Sequence, residues 1–515
     1  PDDSAPNLMG ISASAFSSNA GVSAGFRGGY AKLGKGLQAM VRKGGGGGGG
    51  DGSAGLCLVW LLDQSNSMKD DQETVSRQAQ DIQELLTDGG RKEMLSGVIC
   101  YNDTPATLAP LTRKSSQIAE AIANVPPAKS DKENVCMGIS YACREMLAER
   151  KGWTKVIVLM SDENGDDHQA MVPENIAGPG KKISWQDFAL QEMYNARVRL
   201  FVIAKESPFQ ADTVRENFTD NNGKTWSLPA KRGPESAVIE VPVGISTYDY
   251  SGSASKNLSG FGVWDLSYMA KTSKGAYFIL DESAGAHRPL KASEKAADPY
   301  KVDWGIMDDY KPLLIPRAQY RAEVEKTAYG RNLYRLRDLM AKAPGLYWHE
   351  IRPPSRFEDV KKNAKARLDV INEAIKVCKE SIVSDDVLNK EKNKRDIANL
   401  DLFLETLYAA QIITENYVDA FNRYNGPTPD DNKLALYPTR LQGTELTPEK
   451  QERYEKQMAR LNDAAQEVIR RHANTPWAGM AEGCKAGPRT YGQPRDYFLK
   501  DWVEPKGEGY KGIGL

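Results

Sequence analysis

The apolar run Leu56-Cys57-Leu58-Val59-Trp60-Leu61-Leu62 ends directly on Asp63-Gln64-Ser65-Asn66-Ser67-Met68. Asp63, Ser65 and Ser67 alternate, so a carboxylate and two hydroxyls can converge from one loop. Donors of this kind form a hard, all-oxygen set suited to Mg2+, or to Ca2+ or Mn2+. A second carboxylate, Asp162, follows another apolar run, Val156-Ile157-Val158-Leu159-Met160, within Ser161-Asp162-Glu163-Asn164-Gly165-Asp166. A third, Glu133, stands just before a helix that starts at Asn134. Asp63 could instead cap the helix after it by accepting backbone N–H groups. Three separate loops with matching oxygen donors exceed what one cap requires.

The elements that must position these residues are legible as a strand and helix alternation. The continuous apolar run at Leu56 suits a central parallel strand. Val75, Ala79, Ile82 and Leu86 then share one helix face. Strands are expected at Leu95–Tyr101, at an edge near Ala106–Leu111, at Val156–Met160, at Leu200–Ile203 and at Ala276–Leu280. Helices are expected at Ser115–Val125, along Val135, Ile139, Ala142 and Met146, at Trp185–Ala196 and at Val263–Thr272. The fold class is therefore α/β, a doubly wound, mostly parallel sheet, with its site beyond the carboxyl ends of the strands.

Over about Leu56 to Leu280 the sequence resembles von Willebrand factor A domains. The resemblance rests on Asp63-x-Ser65-x-Ser67 after the first strand, Glu133 before Asn134, and Ser161-Asp162 after the fourth strand. It implies a metal-ion-dependent adhesion site with Asp63, Ser65, Ser67 and Asp162 as ligands. The second-loop position, Thr in most of the family, is occupied by Glu133, which resembles the integrin β-subunit version. The added negative charge would weaken the metal's pull on an incoming carboxylate. In that family a ligand Asp or Glu completes the coordination of the cation.

Around this domain, spanning 56–282 with a polar insertion at about 208–260, three other segments stand out. Residues 1–55 are rich in Gly, Ser and Ala and contain seven consecutive glycines, Gly44 to Gly50. Such an arm finds little to bury in its own chain, so it reads as a tether or as a segment docking on another copy in a homo-oligomer. Residues 283–481 carry helical spacing, as in Val360, Ala364, Leu368, Ile371, Ile375, Cys378 and Ile382, and read as a helical hairpin or bundle. Asp308-Asp309-Tyr310-Lys311-Pro312 and His472-Ala473-Asn474-Thr475-Pro476-Trp477-Ala478 resemble uncharacterised secreted A-domain proteins of planctomycete-type bacteria. The tail 482–515 is Gly- and Pro-rich and is expected to lie over the surface.

Composition narrows the function. Lys plus Arg (68) nearly balance Asp plus Glu (69), giving no field that would gather nucleic acid or an anionic membrane. No apolar run approaches the roughly 18–20 residues that span a bilayer. Cys57 and Cys100 sit on apolar strands and Cys136 and Cys143 on one helix face, so most of the six cysteines read as free core thiols. The start at Pro1 reads as the trace of a removed secretory signal. Gly29 to Gly36 resembles a phosphate loop but ends on Gly36, where Ser or Thr would hold Mg2+. His349-Glu350 lacks the second His of a zinc-protease helix, and the four histidines read as surface or packing residues. The expectation is an extracytoplasmic, non-catalytic protein that binds a partner's Asp or Glu through a divalent cation. The competing expectation is an accessory subunit recruiting clients to an ATP-driven or metal-insertion machine.

Overall fold

The computed structural model describes residues 27–28, 33–35, 37–38, 55–87, 93–130, 132–207, 213–219, 225–231, 233–235, 259–280, 291–297, 301–344, 350–351, 357–423, 434–440, 448–485 and 495–501. Most of the N-terminal arm and of the insertion, and the chain beyond 501, lie outside them.

The expected strands and helices form in order: β1 Leu56–Asp63, α1 Lys69–Leu86, β2 Met94–Tyr101, β3 Ala106–Thr112, α2 Ser115–Ala123, α3 Val135–Ala142, β4 Thr154–Met160, α4 Trp185–Ala196, β5 Val198–Ala204, α5 Trp264–Thr272 and β6 Ala276–Leu280. Across the sheet they run β6-β5-β4-β1-β2-β3, with a two-residue strand at Arg27–Gly28 beyond β6. All neighbours are parallel except β2 and β3. The chain leaves β1 toward β2 and later returns to its other side at β4. This reversal places a topological switch point at the carboxyl end of β1, where open α/β sheets bind ligands.

Both faces of β1 are covered, which is why it reads as an unbroken apolar run. Cys57, Val59 and Leu61 point into the core that holds α3, α4 and α5. Leu58, Trp60 and Leu62 point to the opposite layer, with Val75 and Ile82 of α1 and Ile118 and Ile122 of α2. Leu33 and Leu37 are fully buried in that second layer, and Gln38 donates to the Leu85 carbonyl at 2.7 Å. This corrects the expectation for the arm. Two leucines one helical turn apart give it an anchor on its own chain, each contributing roughly 1.5–3 kcal/mol by burial. Docking of the arm on another copy would concern residues outside the described ones.

The polar insertion contains an antiparallel hairpin, Thr213–Thr219 with Thr225–Lys231, that sequence spacing did not reveal. After it the chain becomes mainly helical: α6 Arg317–Val324, α7 Ala328–Met340, α8 Phe357–Ser381, α9 Asp385–Lys390, α10 Arg395–Arg423, α11 Pro448–Arg471 and α12 Pro476–Lys485. Of the expected seam on α8, Ala364, Ile371, Ile375 and Cys378 are buried and Leu368 is half-buried, whereas Ile382 lies past the helix end and is 39% exposed. The region is not purely helical. Arg495–Asp501, expected to trail over the surface, pairs antiparallel with Leu434–Arg440, which also pairs with Glu350–Ile351.

The two segments singled out around Tyr310 and His472 meet. Tyr310 hydroxyl lies 3.2 Å from His472 Nδ1, His472 Nε2 lies 2.9 Å from Asp401 Oδ2, and Tyr310 packs on Trp477. All are buried, so His472 is a packing residue. The cores of the two regions are continuous: Trp264 of α5 meets Tyr320 of α6 edge-on, with centroids 6.1 Å apart. Five cysteines, Cys57, Cys100, Cys136, Cys143 and Cys378, are free and buried, as expected of core thiols. Among the described residues no helix is long and apolar enough to cross a membrane.

Candidate metal centre

Three loops converge at the carboxyl ends of β1, β2 and β4, and each delivers one of the predicted carboxylates. Ligand oxygens of Asp63, Glu133 and Asp162 lie within 4.8 Å of one another. Asp63 is fully buried, Glu133 is nearly so, and Asp162 and Ser65 are half-buried, so the cluster opens toward solvent on their side. Asp63 Oδ1 accepts the Ser65 amide at 2.7 Å, and the Ser65 and Ser67 hydroxyls are 2.9 Å apart. The structure thus brings all five predicted residues together. It also limits the capping role: Asp63 accepts an amide within its own loop, while α1 starts later, at Lys69.

Residues outside the predicted set hold the loops in place. Gln72 of α1 donates to the Asp63 carbonyl and ties the strand end to the helix after it. Tyr101 hydroxyl and Ser161 hydroxyl each approach Asp63 Oδ2 at 3.5 Å. Asn102, buried at the end of β2, organises the loop that carries Glu133. It accepts from the Lys129 and Ser130 amides at 3.2 Å and donates to the Ser130 and Lys132 carbonyls at 3.0 and 2.5 Å. Asp167 accepts the Cys136 and Met137 amides at 3.0 and 2.8 Å, capping α3 from the third loop. Gly165 sits at φ +82°, and a Cβ there would come within 2.5 Å of Val135 Cγ1. The alternating motif points to the candidate ligands, but these supports are single polar residues with no periodic signal.

The electrostatics fit a cation site. Burial, and after it the charge of Asp162, push Asp63 up to about 7. Burial, followed by Asp63 and Glu163, raises Glu133 well above the ordinary carboxylate range. Two unit charges 4.8 Å apart repel by about 3 kcal/mol at an effective dielectric near 20, so three bare carboxylates need a proton or a cation among them. Glu133 Oε2 and Asp162 Oδ1 are buried and accept no hydrogen bond. Other buried carboxylate oxygens in the structure also go unpaired, but these two belong to one cluster with Asp63. Oxygen-only donors, a net excess of negative charge and two unpaired buried oxygens all fit a divalent cation such as Mg2+, Ca2+ or Mn2+. Asp63, Ser65, Ser67, Glu133 and Asp162 are the residues that would hold it.

His168, read from sequence as a surface or packing residue, is buried beside the third loop. Its Nδ1 lies 3.3 Å from Cys136 Sγ, and its Nε2 faces the Asn164 carbonyl. Burial and the nearby Asp167 charge raise the Cys136 thiol well above its usual value, so this Cys and His pair is core packing and not an open nucleophile.

The sequence model of the von Willebrand factor type A domain matches residues 58–165, the stretch from β1 through the Asp162 loop. None of the curated proteins compared matches the chain. Among solved structures, the chain is similar to an aerotolerance-related membrane protein from Bacteroides fragilis, at 14% identity over 44% of this chain and 93% of that one, with TM-score 0.25. It is similar to BatB from Bacteroides thetaiotaomicron at 13% identity, over 47% of this chain and 95% of that one, with TM-score 0.26. A third is proximal thread matrix protein 1 from the mussel byssus, solved with zinc in its MIDAS motif: 17% identity, 30% of this chain, 39% of that one, TM-score 0.23. Scores of this size leave the functional argument to the geometry of the site.

Proposed function

We propose that this chain is an extracytoplasmic, metal-dependent protein-binding component. Asp63, Ser65, Ser67, Glu133 and Asp162 hold one divalent cation, Mg2+ or else Ca2+ or Mn2+, and a partner's Asp or Glu completes its coordination. The observation that carries this reading is the pair of buried, unpaired oxygens, Glu133 Oε2 and Asp162 Oδ1, directed from two different loops. The half-buried Ser65 and Asp162 leave one side of the cluster within reach of a partner. When bound, the cation supplies a positive charge for a partner carboxylate. The chain's own part is to fix the ligand oxygens and to attenuate that charge through Glu133.

The reading includes no turnover. The loops offer metal ligands without a paired nucleophile and base, and the Cys136 and His168 pair is closed off in the core. It also includes self-assembly through the part of 1–55 outside the described residues. Light scattering on the full chain and on a chain lacking residues 1–26 tests that element separately. The decisive experiment for binding is capture of partner proteins from native extract on the immobilised chain. Capture in Mg2+ that is lost in EDTA and with Asp162→Ala supports the reading. Capture indifferent to both removes it, as does metal-dependent hydrolysis of a phosphate or peptide substrate that disappears in Ser65→Ala.

A further inference from the structure

Asp265, at the start of α5, is 1% exposed. A buried carboxylate is costly unless its oxygens are paired. Those of Asp265 are divided among donors from three separate places in the chain. Oδ1 accepts Gln186 Nε2 of α4 at 3.0 Å. Oδ2 accepts Asn164 Nδ2, two residues beyond Asp162 in the third loop. The same Oδ2 accepts Arg317 Nη2, at the head of α6, at 2.5 Å. Burial pushes the Asp265 carboxyl up, but the charges of His168 and Arg317 and the bonds from Arg317 and Asn164 outweigh it and hold Asp265 below its ordinary value.

Both ends of this bridge are fixed. On the loop side, the Asn164 carbonyl is held by His168 Nε2 while its side chain is held by Asp265. On the helical side, the Arg317 guanidinium lies over the Trp264 ring, 5.2 Å from its centroid. The Trp264 indole donates to the Leu313 carbonyl at 2.9 Å, and Lys271 donates to the Leu314 carbonyl at 3.1 Å. A displacement of α6 therefore strips a charge partner from the carboxylate that orients the loop bearing Asp162. The helical region is bonded to the metal-ligand loop through one oxygen atom.

We propose that Asp265 and Arg317 are positioning residues for the metal centre, so that docking of the helical region and cation binding are thermodynamically linked. The inference rests on the cation site proposed above. Linkage is reciprocal, so whatever α6 does to cation affinity, the cation does to the docking of α6.

The test uses the full chain and Mn2+ alone. Calorimetry gives the Mn2+ affinity of wild type, Arg317→Met, Arg317→Lys and Asn164→Ala, and hydrogen exchange follows residues 313–324 with and without Mn2+. Arg317→Met and Asn164→Ala are expected to weaken Mn2+ binding about tenfold, the scale of losing a group that orients a metal ligand. Arg317→Lys is expected to recover most of that loss. Mn2+ is expected to slow exchange across 313–324 in wild type and to leave it unchanged in Asn164→Ala, an effect that a merely structural salt bridge would not produce. If Arg317→Met does not fold, Asn164→Ala and the wild-type exchange decide the matter. Equal Mn2+ affinity in wild type and Asn164→Ala, with exchange at 313–324 indifferent to Mn2+, overturns the linkage while leaving the cation site standing. Absence of Mn2+ binding by wild type removes both.

Discussion

The amide of Glu133 donates to Asp166 Oδ2 at 3.1 Å, and the amide of Asp166 donates back to the Glu133 carbonyl at 2.8 Å. This reciprocal clasp locks the loop carrying one candidate carboxylate ligand, Glu133, to the loop carrying another, Asp162. Gly165 makes it possible, since its left-handed φ of +82° and missing Cβ let the loops approach. Gly165→Ala is expected to destabilise the fold by about 1–3 kcal/mol and to weaken cation binding as the clasp opens. Thermal melting with and without Mg2+ measures both. A variant that melts with wild type and gains as much from Mg2+ contradicts the role given to the clasp.

The raised Asp63 carboxyl sets a pH dependence with a definite sign. In the fold it keeps a proton up to about 7, whereas the unfolded chain releases it near the ordinary 3.8. The native state therefore binds more protons between those values, and metal-free stability falls as pH rises through that window. A cation must displace the same proton, so its affinity rises over the same range. The increase in Tm produced by Mg2+ should be larger at pH 8 than at pH 5.5. An increase independent of pH would mean that Asp63 does not exchange its proton for the metal.

Glu133 is predicted to trade affinity for the partner against affinity for the cation. Three carboxylates around a divalent ion leave a net negative centre. Glu133→Gln should weaken Mn2+ binding on the order of tenfold, because carboxylate count tunes such sites. At saturating Mn2+ it should strengthen binding of a carboxylate-bearing partner. Titrating metal and partner separately distinguishes the two effects, and movement of both in the same direction argues against attenuation by Glu133.

Leu33 and Leu37 make part of the N-terminal segment structural. Removing residues 1–50 should lower Tm by several degrees, as expected for loss of two buried leucines, whereas removing 1–26 should leave it unchanged. Equal melting of both truncations would detach these leucines from the fold's stability.

The parts legible in sequence are those with a local period. β1 is visible because it is apolar on both faces, and Asp63, Ser65, Ser67 and Asp162 because they follow apolar runs at the spacing of a ligand loop. The supports are another matter. Asn164 and Asp265 are separated by 101 positions, and neither carries a pattern that points to the other. The strand Arg495–Asp501 pairs with Leu434–Arg440 across two intervening helices, so its partner is set by tertiary contact and not by alternation. Leu33 and Leu37 were hidden for the opposite reason, since a two-residue apolar signal is lost among glycines. His168 and His472, scattered in sequence, are each buried in a different polar network.

Isothermal calorimetry of Mn2+ into the full chain and into Asp63→Ala tests the central claim most directly. Asp63→Ala removes a fully buried carboxylate that repels its neighbours, so the variant is expected to fold. One Mn2+ per chain in wild type, with binding abolished in Asp63→Ala, is the result predicted here. Equal binding by the two proteins would place the metal elsewhere and contradict the site.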